Sequence, residues 1–225
     1  MIQGSVEWHK ERIGMITSSE IGKIFKKGRS KDEIFGTQAI SYINKKISER
    51  LISNDFIENE DYLLSYLERV KISGKALEYG TAFESSARQV YEEKTGFFVK
   101  ETGFIKVDEN FGDSPDGLVV DENGEIIGTV EIKCPYNPEN HFSFLMCENE
   151  EDLRKENEDY FYQCHGHIYA NNVKWCDFIS FDYMSKYPLK IIRVNRDENI
   201  IKEIKERIEL AVKIIDENIF KILIQ

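Results

Sequence analysis

An α/β (α+β) fold follows from three features of the sequence. Residues 118–132 hold two runs rich in Val and Ile on either side of Asn123-Gly124, the pattern of a β-hairpin. Runs at 175–184 and 189–194 also have strand character. Around them, the stretches 31–52, 61–71, 80–94 and 198–223 space apolar residues three and four apart, as on one face of a helix. The 225 residues contain no repeat or low-complexity linker, so one domain spanning 1–225 is expected.

Composition narrows the class. Hydrophobic residues make up 41% and aromatics 12%, as in a folded globular protein. No apolar run approaches the length of a membrane span, and the first eight residues lack a signal-peptide core. Cys134, Cys147, Cys164 and Cys176 show no close pairing of the kind zinc or iron–sulfur sites use. They are expected to be free thiols in a reducing compartment, which implies a cytoplasmic location. The net charge of −11 argues against broad, nonspecific binding of nucleic acid. It leaves room for a local anion site. Residues 1–31 carry seven cations (Lys10, Arg12, Lys23, Lys26, Lys27, Arg29, Lys31) against Glu7, Glu11 and Glu20, a net of +4, which leaves −15 for the rest. A solvated basic loop would give the same balance.

Taken in order, Ser18 or Ser19 is expected to cap a short helix that buries Ile21, Ile24 and Phe25. A helix start beside Arg12 offers N–H groups, hydroxyls and a guanidinium to an anion. It is equally the pattern of an ordinary N-cap. Residues 31–52 align Ile34, Phe35, Ala39, Ile43, Ile47 and Leu51. The polar stretch 53–61 is expected to be a loop, and 61–71 a second packing helix. A helix over 80–94 stops at Gly96 and buries Phe83, Ala87, Val90 and Tyr91. Glu84 borders that stripe, where it could reach a site or remain a surface charge. Residues 97–107 are expected to form two short strands around Thr102-Gly103, and 137–147 a short helix. The acidic run 148–159 suits a solvated loop or helix face. Residues 160–169 are helical, with Gln163 and His167 on one face; His165 and His167 suit hydrogen bonds better than metal. The closing helix presents Ile201, Ile204, Ile208, Val212, Ile215 and Ile219 to a core.

The hairpin carries the chemistry. A two-residue type I′ turn at Asn123-Gly124, with positive φ at both positions, sets Leu118 opposite Thr129 and Asp116 opposite Glu131. Lys133, two residues on, projects from the same face as Glu131. Two carboxylates so close repel unless a proton or cation lies between them. Oxygen ligands with a lysine nearby suit Mg²⁺, with Mn²⁺ as the alternative, to hold a phosphate and acidify a water. This pattern, P-D-(x14)-E-x-K, resembles the PD-(D/E)xK nuclease core. It would also arise from a cross-strand pair beside a solvated Glu-x-Lys face.

Further motifs follow in a fixed order: Arg12…Ile16-Thr17-Ser18-Ser19-Glu20, Gly80-x3-Glu84-x2-Ala87-x3-Tyr91, Thr95-Gly96, Ser114-Pro115-Asp116-Gly117, Glu131-Ile132-Lys133-Cys134-Pro135, Tyr162-Gln163 and Trp175-Cys176-Asp177-Phe178. Together they resemble the YqaJ-type viral recombinase family, relatives of phage lambda exonuclease, from about Trp8 to Asp197. The resemblance implies a restriction-endonuclease-like core, with a central mixed β-sheet flanked by helices. It implies a Mg²⁺-dependent 5′→3′ exonuclease that degrades one strand of double-stranded DNA from its ends. Recombination with a single-strand annealing protein is implied too, as is a homo-oligomer, a trimer in the best-known relatives. By position, Asp116, Glu131, the Ile132 carbonyl and Glu84 would serve the metal. Lys133 would assist the attacking water, Gln163 would lie at the edge of the site, and Arg12, Ser19 and Ser114 would cradle the 5′-phosphate. For a phage-derived protein the location would be the bacterial host cytoplasm. Ser18 departs from the family, where Ala is usual, and the acidic run is unexpected near a DNA channel. An endonuclease on the same core and a catalytically silent DNA-end-binding module are the alternatives.

Overall fold

The structure, a computed structural model, describes residues 2–28, 33–70 and 74–224. Arg29 and Lys31 of the basic stretch, the start of the helix expected over 31–52 and the end of that over 61–71 lie outside the described residues. In chain order the elements are α1 (Val6–Arg12), β1 (Ile16–Thr17), a 3₁₀ helix (Ser18–Phe25), α2 (Thr37–Arg50), α3 (Asn54–Glu58), α4 (Glu60–Val70) and α5 (Lys75–Thr95). Then come β2 (Phe98–Lys100), β3 (Ile105–Lys106), β4 (Phe111–Asp113), β5 (Gly117–Val120) and β6 (Ile126–Lys133). The last are α6 (Pro138–Met146), α7 (Glu150–Glu156), α8 (Glu158–Asn171), β7 (Trp175–Phe181), β8 (Leu189–Asn195) and α9 (Glu198–Leu223). The chain divides into two units, one of Met1–Lys71, Gly103–Ser114 and Glu198–Gln225, the other of Ile72–Thr102 and Pro115–Asp197.

In the first unit, β1, β4 and β3 form a small sheet in the order β1-β4-β3, with β1 parallel to β4 and β3 antiparallel to it. Ile21, Ile24 and Phe25 are buried as expected, but the helix that carries them is 3₁₀. Its cap is the backbone of Thr17, without a side-chain cap bond, so neither Ser18 nor Ser19 caps it. Ala39, Ile43 and Ile47 form the buried side of α2, while Ile34 and Leu51 at the ends of the expected stripe are exposed. The expected loop 53–61 is instead α3 followed by the first turn of α4. In α9 the isoleucines of the stripe are buried as far as Ile215, and Arg207 lies among them, donating to the carbonyls of Ile34 (2.8 Å) and Ile24 (3.3 Å). Beyond Ile215 the face opens, and Phe220 and Leu223 are exposed.

The second unit is built on a five-stranded mixed sheet, β2-β5-β6-β7-β8, in which β6 and β7 are parallel and the other pairs antiparallel. The two short strands expected over Phe97–Val107 are β2 and β3, which belong to different sheets. The core joins Ala87 and Tyr91 of α5 to Val99, Val119, Val130, Ile132 and Ile179 of the strands. Gly96, at φ 74, ends α5 in the left-handed cap that glycine takes most readily. The β5–β6 register is the expected one near the site, with Leu118 opposite Thr129 and Gly117 opposite Val130. The turn differs. Gly124 alone takes the left-handed conformation (φ 81), and Asp121 Oδ1 accepts from the N–H groups of Asn123 and Glu125, both at 2.9 Å. The loop therefore runs from Asp121 to Glu125, and a bulge beside Val120 absorbs the extra residue. Gly117 serves a close approach: a Cβ there would lie 2.2 Å from Val99 Cγ1.

Candidate active site

The alternation of β6 sorts its residues. Val130 and Ile132 face the core beneath α5, while Glu131 and Lys133 face α8. Asp116 lies one residue before the ladder begins at Gly117 and Val130, and its Oδ2 accepts the Ile132 N–H at 2.7 Å. Lys133 Nζ donates to Glu131 Oε1 and lies 5.0 Å above the Tyr160 ring. His167 Nε2 meets Glu131 Oε2 at 2.8 Å, with both side chains buried. From α5, Glu84 accepts from Arg88 at 3.0 Å, and Arg88 also donates to the Asp116 carbonyl at 3.3 Å. Asp116, Ile132, Lys133 and Glu84 line a cavity of about 530 Å³ with Gly80, Thr81, Tyr136, Glu156 and Tyr160. Gln163 is buried on α8 between Tyr160 and His167, outside that lining.

Burial and the neighbouring Glu131 push the Asp116 carboxyl up to about 8. Burial also acts to raise Glu131, but Lys133 and His167 outweigh it and hold Glu131 at about 2. Glu84 is raised by burial against the pull of Arg88. Burial works against the Lys133 charge, yet Glu131 and Asp116 more than restore it, so Lys133 is a firm cation and a donor. The pocket thus brings the Asp116, Glu131 and Glu84 carboxyls to one place beside Lys133 and Arg88. Clustered carboxylate oxygens of this kind fit a hard divalent cation. Among the described residues no three His, Cys, Asp or Glu side chains are already disposed around one ion. Here the carboxylates are held by Lys133, His167, Arg88 and the Ile132 N–H.

In the other unit, Arg12 Nη2 donates to Ser19 Oγ at 2.9 Å and Nη1 to Ser114 Oγ at 3.2 Å. Trp8 Nε1 donates to the same Ser114 hydroxyl at 2.9 Å, and the guanidinium lies 4.0 Å over the Trp8 ring. Thr17 and Ser19 share a hydrogen bond of 3.1 Å. Arg12 and Ser19, seven positions apart, therefore meet Ser114 from 102 positions beyond Arg12 in one cluster. Ser18 Oγ, beside it in the chain, is buried without a hydrogen-bond partner.

A family model for the YqaJ-like viral recombinase domain matches residues 7–172 of the 225. The chain belongs to this family. YqaJ-like proteins are nucleases, which makes this chain an enzyme. The alkaline exonuclease LHK-Exo of Laribacter hongkongensis is 25% identical, with a TM-score of 0.73 over 97% of this chain and 96% of that one. Its complex with dAMP is 26% identical at a TM-score of 0.74, with the same coverage. A phage-related exonuclease from Haemophilus somnus 129PT shares the fold at 18% identity, with a TM-score of 0.67 over 92% of this chain and 96% of that one. No curated relative matches the chain.

Within this YqaJ-like fold, several contacts were not foreseen from the sequence. His167 could be paired with Gln163 by helical spacing, but nothing local named Glu131 as its partner. Trp8, Arg88 and Tyr160 carried no motif of their own. His165 packs edge-on against Phe161 (4.6 Å) with Nδ1 unpartnered, and burial pushes its pKa down to about 4. The acidic run is largely helix α7, capped by Asn149, with Glu150, Glu151 and Asp152 at its positive end. One member, Glu156, reaches the cavity wall. Among the described residues no helix is long and apolar enough to cross a membrane.

Proposed function

We propose that this chain is a Mg²⁺-dependent 5′→3′ exonuclease that degrades one strand of double-stranded DNA from its ends. The observation that carries the reading is the Asp116–Glu131–Lys133 group beside the start of β5 and the end of β6, with Glu84 on α5 at the same cavity. Asp116, Glu131, the Ile132 carbonyl and Glu84 would hold the metal, and Mn²⁺ suits the same oxygens. Once bound, the ion supplies Lewis acidity to a phosphate oxygen and lowers the pKa of a water. Lys133, kept charged by Glu131 and Asp116, donates to the attacking water and steers its lone pair toward phosphorus. Glu84, at the same cavity, would sit beside the metal or its water, where its carboxylate can take up the proton that water gives off. Gln163 supports the site from α8. Arg12, Ser19 and Ser114 would receive the 5′-terminal phosphate, and only Pro115 separates Ser114 from Asp116 in the chain. The relative that binds dAMP supports a mononucleotide product.

In this reading residues 1–225 work as one exonuclease domain, assemble as a homo-oligomer and serve phage-type recombination with a single-strand annealing protein in the bacterial cytoplasm. Digestion of linear duplex with 5′-phosphoryl or 5′-hydroxyl ends, with Mg²⁺ or EDTA, tests it. Wild type should release mononucleotides only with Mg²⁺, and Lys133→Ala should lose on the order of a hundredfold or more of that rate. Equal rates from both proteins would remove Lys133 from the site. Cutting of covalently closed circles would turn the reading to an endonuclease on the same core.

A further inference from the structure

A row of aromatic rings leads away from the cavity. Tyr136, on its wall, meets Tyr79 edge-on with centroids 5.6 Å apart. Tyr79 packs on Phe83 at 4.6 Å, and Phe83 stacks on Tyr183 at 4.6 Å with planes 18° apart. The two inner rings rest on the hydrophobic core. The two outer ones do not share that burial: Tyr136 is 49% exposed and Tyr183 52%. Folding gains little from leaving two large rings half in water, whereas a ring held stiffly from behind suits a flat ligand. A nucleobase is such a ligand, and stacking accepts any base because each has a π-face. An enzyme that opens a duplex end has unpaired bases to hold beside its cavity.

We infer that Tyr136 and Tyr183, backed by Tyr79 and Phe83, form a stacking platform for unpaired bases of the DNA substrate, along a row that starts at the cavity wall. The inference rests on the nuclease reading above and adds how the strand is held. Both tyrosines are half exposed, so substitutions there leave the core intact.

The test uses the full chain and a single-stranded oligonucleotide carrying 2-aminopurine, with Ca²⁺ in place of Mg²⁺ to separate binding from cleavage. Wild type should bind the oligonucleotide and quench its fluorescence by stacking. Tyr136→Ala and Tyr183→Ala should each weaken binding about five- to tenfold and relieve the quenching, as loss of one stacked base predicts. The Phe variants should restore both signals, and the Leu variants should not. On tailed duplex with Mg²⁺, the Ala variants should raise KM by a similar factor and change kcat much less. Wild-type binding and quenching by all variants would overturn the platform and leave this face to a protein partner. Leu variants as good as Phe would overturn stacking in favour of simple apolar contact. Failure of the nuclease reading looks different: no protein, wild type included, would then release nucleotides with Mg²⁺, whatever the binding result.

Discussion

Glu20, in the first unit, and Asp116, in the second, are both carboxylates that burial pushes upward, yet one settles at about 2 and the other at about 8. Their neighbours make the difference. Glu20 is met by Lys23 at 2.6 Å, Lys45 at 3.3 Å and Lys46 at 3.8 Å. Asp116 is met by Glu131 and Glu84 as well as Lys133, so like charge adds to the desolvation. The first arrangement is closed, with its acid satisfied by the protein's own lysines. The second sets Asp116 beside two other carboxylates, so it holds its proton far more readily. Arg12 is met differently again: its guanidinium donates to two neutral hydroxyls, those of Ser19 and Ser114.

The largest effect expected from disturbing this contrast is at His167. If Glu131 holds the metal as proposed, removing its buried donor should raise the Mg²⁺ concentration for half-maximal rate roughly 10–100-fold. A Mg²⁺ titration of His167→Ala checks this, and an unshifted curve would make His167 a packing residue only. Next comes Arg12→Ala, which should lower the preference for 5′-phosphoryl over 5′-hydroxyl ends about tenfold, the worth of one charge-assisted hydrogen bond. Paired rate measurements on the two ends read that ratio, and an unchanged ratio would take Arg12 out of the phosphate cradle. The smallest effect concerns stability. Because the Glu20 pKa is lowered in the fold, its contribution is complete above the ordinary value of 4.5 and is lost as pH falls toward about 2. Thermal melts of wild type and Glu20→Gln should therefore differ at pH 6 and converge between pH 4 and pH 2, by an amount on the order of 1–3 kcal/mol. Parallel curves across that range would mean that the lysines do not hold Glu20 ionised.

How much of this was legible depended on distance along the chain. The β5–β6 register needs only a short loop and a period of two, so the sequence already placed Asp116 near Glu131 with Lys133 on the Glu131 face. The turn itself was misjudged, with a loop from Asp121 to Glu125 in place of two residues, because the Asp121 side chain competes for the turn's N–H groups. The helices were visible through their apolar stripes. The β1-β4-β3 sheet was not: its strands are two or three residues long, too short to show a period, and β1 pairs with a strand some 95 positions away. Trp8 and His167 were missed for a related reason, since each depends on a partner that only the fold supplies. Arg12 and the hydroxyl of Ser19 stood out locally as a helix start beside a guanidinium, whereas Ser114 came only by resemblance.

Gly117, which follows the site aspartate, bears on how such a protein can be altered. Its dihedral angles ask nothing of glycine; the neighbouring strand does, because a methyl group there would collide with Val99 and crowd Val130. A genetic screen for activity would therefore mark 116 and 117 as equally intolerant, for unrelated reasons. On the proposed chemistry, asparagine in place of Asp116 would give a folded but inactive protein, whereas alanine in place of Gly117 would press on Val99 and Val130 and lower the yield of folded protein. Scoring abundance beside activity would separate a position kept for its charge from one kept for its emptiness.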